Sequence, residues 1–209
     1  MDGAIAARLP LSACRHWVFD MDGTLTEPAH DFALIRRALE IPPDADILHH
    51  LAALPANESQ AKHAWLLEHE RALAEAARPA PGAQPLVRAL QADGCRLGLL
   101  TRNARSLAQV TLGAIGLADA FAPDDIVGRD EAAPKPAPDG LRYFQRRWAV
   151  SAAALLMVGD HHNDLACGRA AGAGTVLVNT PGDPWPGLAD WRLRDCADLL
   201  QHWQARAGQ

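Results

Sequence analysis

The stretch Trp17-Val18-Phe19-Asp20-Met21-Asp22-Gly23-Thr24 decides how the rest of the chain is read. Three apolar residues run into an Asp-Gly turn signal, the pattern of a short strand buried on both faces. Asp20 and Asp22 then lie at the C-terminal end of that strand, where open α/β sheets bind their ligands. Two carboxylates this close repel each other and are costly to bury together. A cation between them offsets the cost, and a ligand set made only of oxygens suits Mg²⁺. Taken alone, the same residues are equally consistent with a plain strand end closed by an Asp-Gly turn.

Working outward, the chain changes rhythm twice. Residues 1–14 read as a loose lead-in, and 15–20 as the first strand. From Leu25 to about Arg78 only helical patterns occur, punctuated by proline. Asp31 is placed to cap a helix carrying Phe32, Ile35 and Leu39, which ends at Pro42-Pro43. Asp44 or Asp46 opens a second, with Ile47, Leu51 and Leu54, closed by Pro55. Asn57 and Gln60 have capping-box spacing for a third, with Trp65, Leu66, Leu73 and Ala76 facing inward. These helices form a small module inserted after the first strand.

From Pro81 onward strands and helices alternate. A helix to about Ala92 and an Asp93-Gly94 turn lead into a strand over Cys95–Thr101, then a helix over Arg105–Ile115. Phe121 and Ile126-Val127 suggest a short strand, followed by a helix over Pro138–Trp148. A strand over Ala154–Asp160 precedes a helix over Asn163–Ala171 and a strand over Gly174–Thr180. An edge strand at Trp191–Leu193 and a closing helix over Cys196–Ala205 finish the chain. This alternation predicts an α/β fold, a Rossmann-like parallel sheet with right-handed crossovers.

Composition narrows the function classes. The 209 residues suffice for one core domain and an insertion, and 49% hydrophobic with 22% charged residues is ordinary for a globular protein. A net charge of −5 and a pI near 6.0 carry no electrostatic footprint for nucleic acid. No apolar run approaches membrane-spanning length, and the N-terminus lacks the pattern of a signal peptide. Cys14, Cys95, Cys167 and Cys196 are widely spaced with no Cys-x-x-Cys pair, which argues against a zinc site and for a reducing, cytoplasmic setting. Lysine occurs only at Lys62 and Lys135 in an otherwise arginine-based set, so each is a candidate for a place that needs a compact ammonium.

Three further features fall at strand ends or in crossover loops. Thr101 closes the second strand and is followed by Arg102 and Asn103; a hydroxyl beside backbone N–H groups suits a phosphate oxygen, although a threonine here also suits the cap of the next helix. Lys135 sits between Pro134 and Pro136, which stiffen its loop. Asp160 ends the fourth strand in Gly159-Asp160-His161-His162-Asn163-Asp164, and a spacing of four brings Asp164 near the same cation. Asp164 is also placed to offset charge at a helix N-terminus.

In this order, on these elements, the motifs Asp20-Met21-Asp22-Gly23-Thr24, Thr101, Lys135 and Gly159–Asp164 resemble those of the haloacid dehalogenase superfamily. The likeness is to its phosphatase branch with a helical cap, phosphoglycolate phosphatase-like, and it spans the whole chain. It implies a catalytic core over 1–26 and 80–209 and a helical cap over 27–79, with hinges near Thr26-Glu27-Pro28 and Pro79-Ala80-Pro81. It also implies a Mg²⁺-dependent phosphatase acting on a small phosphorylated metabolite through an aspartyl-phosphate. Asp20 would be the nucleophile and Asp22 the general acid and base. Thr101, Arg102 and Lys135 would hold the phosphoryl group. Asp20, Asp22 through its carbonyl, Asp160 and Asp164 would hold the metal. Thr24 is expected to support the loop, and His161 and His162 to be solvated loop imidazoles. Asp22 argues against dehalogenation, since dehalogenases of the family lack it.

Three other readings remain open. One is a phosphonate-cleaving enzyme, which needs a cap lysine for a Schiff base and for which Lys62 is the sole candidate. The others are a sugar-phosphate mutase and a non-catalytic phospho-ligand-binding protein.

Overall fold

A computed structural model describes residues 10–28, 32–45 and 47–205. Among them, six strands form one parallel sheet in the order β3-β2-β1-β4-β5-β6. They are β1 (His16–Phe19), β2 (Arg96–Leu100), β3 (Ile126–Val127), β4 (Leu155–Gly159), β5 (Gly174–Leu177) and β6 (Trp191–Arg192). The order reverses between β1 and β4. Loops leaving those two strands diverge, and the crevice between them is where an open sheet of this kind takes its ligand. Phe19 is in register with Leu99 on one side and Val158 on the other, so the acidic residues after β1 and β4 emerge side by side.

Helices cover both faces, which is why the strands read as unbroken apolar runs. Alternate residues enter different layers. Trp17, Phe19, Leu97, Leu99, Leu156 and Val158 pack with α4 (Ala83–Ala92), α5 (Arg105–Ala114) and α8 (Cys196–Ala205). Val18, Leu100, Leu155 and Met157 pack with α6 (Asp139–Trp148) and α7 (His162–Ala171). The lead-in is less loose than expected from residue 10 on. A short 3₁₀ turn over Leu11–Ala13 buries Leu11, and Cys14 follows it into the core; residues 1–9 lie outside the described residues.

Between β1 and α4 stand α1 (Phe32–Ala38), α2 (Ile47–Ala52) and α3 (Ala56–Glu75). They share an apolar cluster of their own, Ile35, Leu39, Ile41, Leu51 and Leu66, and α3 also rests on α5. The chain leaves and returns through paired segments: Glu27 N–H donates to Arg78 C=O at 2.9 Å, and Ala80 N–H to Leu25 C=O at 2.9 Å. The expected caps at Asp31 and Asp46 lie outside the described residues. Asn57 does not cap the third helix; α3 begins at Ala56 with Pro55 as its N-cap and no side-chain cap bond. Proline's fixed φ suits a helix start, so the break that ends α2 also begins α3. Trp65 is 39% exposed and Ala76 is exposed beyond the helix end, while Leu66 and Ala74 are the buried positions.

All four cysteines are free and buried. Burial pushes the thiol of Cys14 up to about 11 and those of Cys167 and Cys196 up to about 12, and it raises Cys95 against the pull of Arg15. The thiolate is the reactive form. The folded protein is therefore expected to leave a thiol-disulfide reagent unreacted over minutes at pH 8 and to titrate four thiols in guanidinium. A rapid stoichiometric reaction of the folded protein would contradict this packing.

Candidate active site

The crevice at the β1/β4 divide opens into a cavity of about 550 Å³ lined by Asp20, Asp22, Lys135, Asp160 and Asp164 on the sheet side. Asp20 follows β1 directly; its N–H donates to Val158 C=O at 2.9 Å, extending the β1–β4 ladder by one bond. That bond fixes the carboxylate at the crevice floor, where it is 8% exposed. Lys135, 4% exposed, comes from the loop between β3 and α6, in which the Lys135-Pro136 peptide is cis. Its ammonium bonds the carboxylates of both Asp20 and Asp164, the latter at 2.8 Å. Burial works against the charge on Lys135, but Asp164 and Asp20 outweigh it and hold the ammonium protonated. Burial likewise raises the pKa of Asp20, with Asp164 and Asp22 adding to the rise and Lys135 opposing it. Asp160 is raised by burial and by Asp164, against a hydrogen bond from Thr24.

Carboxylate oxygens of Asp20, Asp160 and Asp164 lie within 4.8 Å of one another. An all-oxygen set of this kind suits a hard divalent cation. Asp20 and Asp160 are both held where burial disfavours their charge, and a cation offsets that cost. Gly23 is part of this construction. Its φ is +82°, and a Cβ there would lie 2.4 Å from Asp160 Oδ2, so a side chain is excluded both by conformation and by the carboxylate. The Thr24 hydroxyl lies 3.0 Å from Asp160 Oδ1 and 3.3 Å from Asp20 Oδ2, a supporting position as expected.

The other expected residues divide. Thr101 is buried, and its Oγ1 accepts the N–H of Asn103 at 3.1 Å; Arg102 is exposed and lines the cavity. Asp164 accepts the N–H of His161 at 3.1 Å as part of a capping box on α7, so it serves the helix and Lys135 together. His161 is solvent-exposed as expected, but it also has a structural role. It is the N-cap of α7, with Nδ1 accepting the N–H of Asn163 at 3.3 Å and its ring edge-on to Trp185 at 5.4 Å. His162 also meets Trp185, at 5.9 Å. Lys62 lies away from the cavity. Its ammonium donates to Leu39 C=O at 2.6 Å and pairs with Glu58 at 3.2 Å, closing the end of α1.

Sequence reasoning missed several residues. Asn103 Nδ2 donates to Asp22 Oδ2 at 2.9 Å. Asn179, at φ +58°, donates to the carbonyls of Gly23 at 2.8 Å and Thr24 at 3.0 Å. Arg129 and Glu70 line the cavity and pair at 3.4 Å, joining the loop after β3 to α3. None carries a local signal beyond its polarity, because each acts across a long sequence separation. Ile35, Arg36, Ile47 and Leu66 complete the outer wall.

Residues 14–172 match the haloacid dehalogenase-like hydrolase family. The chain belongs to that family. A haloacid dehalogenase-like hydrolase domain-containing protein of Arabidopsis thaliana is 32% identical over 177 residues, 79% of this chain and 71% of its own length. A phosphoglycolate phosphatase of Nitrosospira multiformis is 28% identical over 206 residues, 81% and 84% of the two chains. The crystal structure of a Haemophilus somnus protein described as a predicted phosphoglycolate phosphatase superposes with a TM-score of 0.72 at 22% identity, covering 90% of this chain and 97% of that one. This haloacid dehalogenase-like protein is thus a hydrolase with phosphatase relatives. Among its described residues no helix is long and apolar enough to cross a membrane.

Removing one partner of a buried charge set leaves the others uncompensated, typically at about 3–5 kcal/mol. Lys135→Ala is expected to lower stability by roughly that amount in chelator, read from urea denaturation. A loss below about 1 kcal/mol would show that the ammonium is not what holds Asp20 and Asp164 together.

Proposed function

We propose that this enzyme is a Mg²⁺-dependent phosphatase that hydrolyses a small phosphorylated metabolite through an aspartyl-phosphate on Asp20. The observation that carries the reading is the buried Asp20 carboxylate bonded by Lys135 and gathered with Asp160 and Asp164 at the crevice floor. In this reading Asp20 attacks phosphorus, and covalent catalysis splits one difficult displacement into two easier ones. Asp22 protonates the departing alkoxide and then takes a proton from the attacking water. The Lys135 ammonium, the Thr101 hydroxyl and backbone N–H groups near Met21, Asp22 and Arg102 hold the phosphoryl oxygens as charge redistributes. Asp20, the Asp22 carbonyl and Asp160 would hold Mg²⁺, with Asp164 supporting the set. When bound, the ion offsets the repulsion between an anionic nucleophile and an anionic phosphate.

Residues 27–79 form the cap and 1–26 with 80–209 the core in this proposal, which the separate apolar cluster of α1–α3 supports. A cavity of about 550 Å³ with Ile35, Ile47 and Leu66 on its outer wall suits a small organic phosphate. Phosphoglycolate is one candidate, from the names of relatives. Four reduced, buried cysteines favour a cytoplasmic enzyme. The phosphonate-cleaving alternative loses its support, because Lys62 is engaged by Leu39 and Glu58 outside the cavity.

Hydrolysis of p-nitrophenyl phosphate is expected to require Mg²⁺ and to fall at least about a thousandfold in Asp20→Asn. Asp22→Ala should accumulate enzyme carrying one added phosphoryl group, seen by intact mass. Mg²⁺ should also raise the melting temperature of the parent, because it binds the folded state, and do so far less in Gly23→Ala, where the new methyl displaces Asp160. Full activity in excess chelator would sink the proposal.

A further inference from the structure

We propose that Asn103 is the positioning residue that holds Asp22 in line with the leaving group. The inference rests on the phosphatase reading, in which Asp22 moves a proton in each half-reaction. Asn103 Nδ2 donates to Asp22 Oδ2 at 2.9 Å, joining the loop after β2 to the loop after β1. Asn103 is itself held from two other directions. Its N–H donates to Thr101 Oγ1 at 3.1 Å, and its carbonyl accepts the N–H of Arg129 at 3.0 Å. Gly128 backs that carbonyl closely: a Cβ there would lie 2.6 Å from Asn103 O and 2.7 Å from Arg105 N. Glu131 fixes this backing loop by accepting the N–H of Gly128 at 2.8 Å. Asn103 also lines the cavity beside Asp22, so the bond is made at the site.

An amide N–H can only donate. The bond therefore assigns Oδ2 of Asp22 the acceptor role and puts the transferable proton on Oδ1. In the first step the bond from Asp20 to phosphorus forms and the ester P–O bond breaks, as the Oδ1 proton passes to the departing oxygen. In the second, water oxygen bonds phosphorus, the bond to Asp20 breaks, and a water proton returns to Oδ1. The amide stays bonded throughout, so the carboxyl group keeps one orientation for both transfers. Misplacement of a reacting group by about 1 Å can cost on the order of 100-fold in rate. That loss depends on the leaving group, because a good one departs without protonation.

The test compares kcat/KM for p-nitrophenyl phosphate and for glycerol 2-phosphate, an alkyl ester whose alkoxide needs the proton. Asn103→Ala is expected to lose at least tenfold more on the alkyl ester than on the aryl ester. Asn103→Asp keeps the shape and removes the donor; it should show the same split, and it carries the test if the alanine variant does not fold. Gly128→Ala pushes on the backbone carbonyl of Asn103 and should give a milder version of the split. Equal losses on both esters, or an Asn103→Asp enzyme with the parental ratio, would overturn the inference while leaving a working phosphatase. A parent that hydrolyses neither ester overturns the phosphatase reading, and this inference with it.

Discussion

The ammonium of Lys135 is the contact on which the site depends. It joins Asp20 at the end of β1 to Asp164 in the first turn of α7, from a loop that belongs to neither element. Three chain segments are thereby fixed to one buried point. Burying charge is costly unless it is paired, and pairing here is incomplete. Asp20, Asp160 and Asp164 set three carboxylates against one ammonium, an excess equal to the charge of one divalent cation. The same imbalance explains why burial and mutual repulsion both push Asp20 and Asp160 towards their neutral forms. The acidic set fits a divalent cation, and Lys135 ties Asp20 to Asp164 within it.

The sheet makes that arrangement possible. A parallel sheet points all its C-terminal ends one way, and the reversal between β1 and β4 leaves a crevice where two acidic loops meet without a helix between them. The backbone then closes up around the crevice. Asn179, following β5, ties down the carbonyls of Gly23 and Thr24, and Thr180 donates to the carbonyl of Asp160 at 2.6 Å. The segment that follows β5 thus braces both acidic loops.

Much of this was legible from the sequence, and the reasons differ by region. Core strands such as Cys95–Thr101 and Ala154–Asp160 are short apolar runs between turn residues, a signal that survives any tertiary context, and the structure shortens them by one residue at each end. The acidic motifs were legible because they follow two apolar strands, β1 and β4, that lie side by side in the sheet. The inserted helices were harder. Polar and apolar residues are spread around α3, so its periodicity did not separate buried Leu66 from exposed Trp65. The place of Lys62 was not legible, because nothing local shows that the carbonyl of Leu39 lies within reach. Asn103, Asn179 and the Arg129–Glu70 pair are set by folding alone.

The three apolar clusters of the sheet and the inserted helices share no residue, and this separation bears on how the site divides its labour. Asp20 and Asp160 follow strands packed on both faces, where a change of volume is felt through the whole sheet. The outer wall of the cavity, Ile35, Ile47 and Leu66 with Arg36 and Glu70, hangs from helices that have an apolar cluster of their own, with α3 also resting on α5. Arg129, in the loop after β3, reaches Glu70 on α3 while its own N–H supports Asn103. It is one point at which the α3 wall meets the loops around Asp22, beside the packing of α3 on α5.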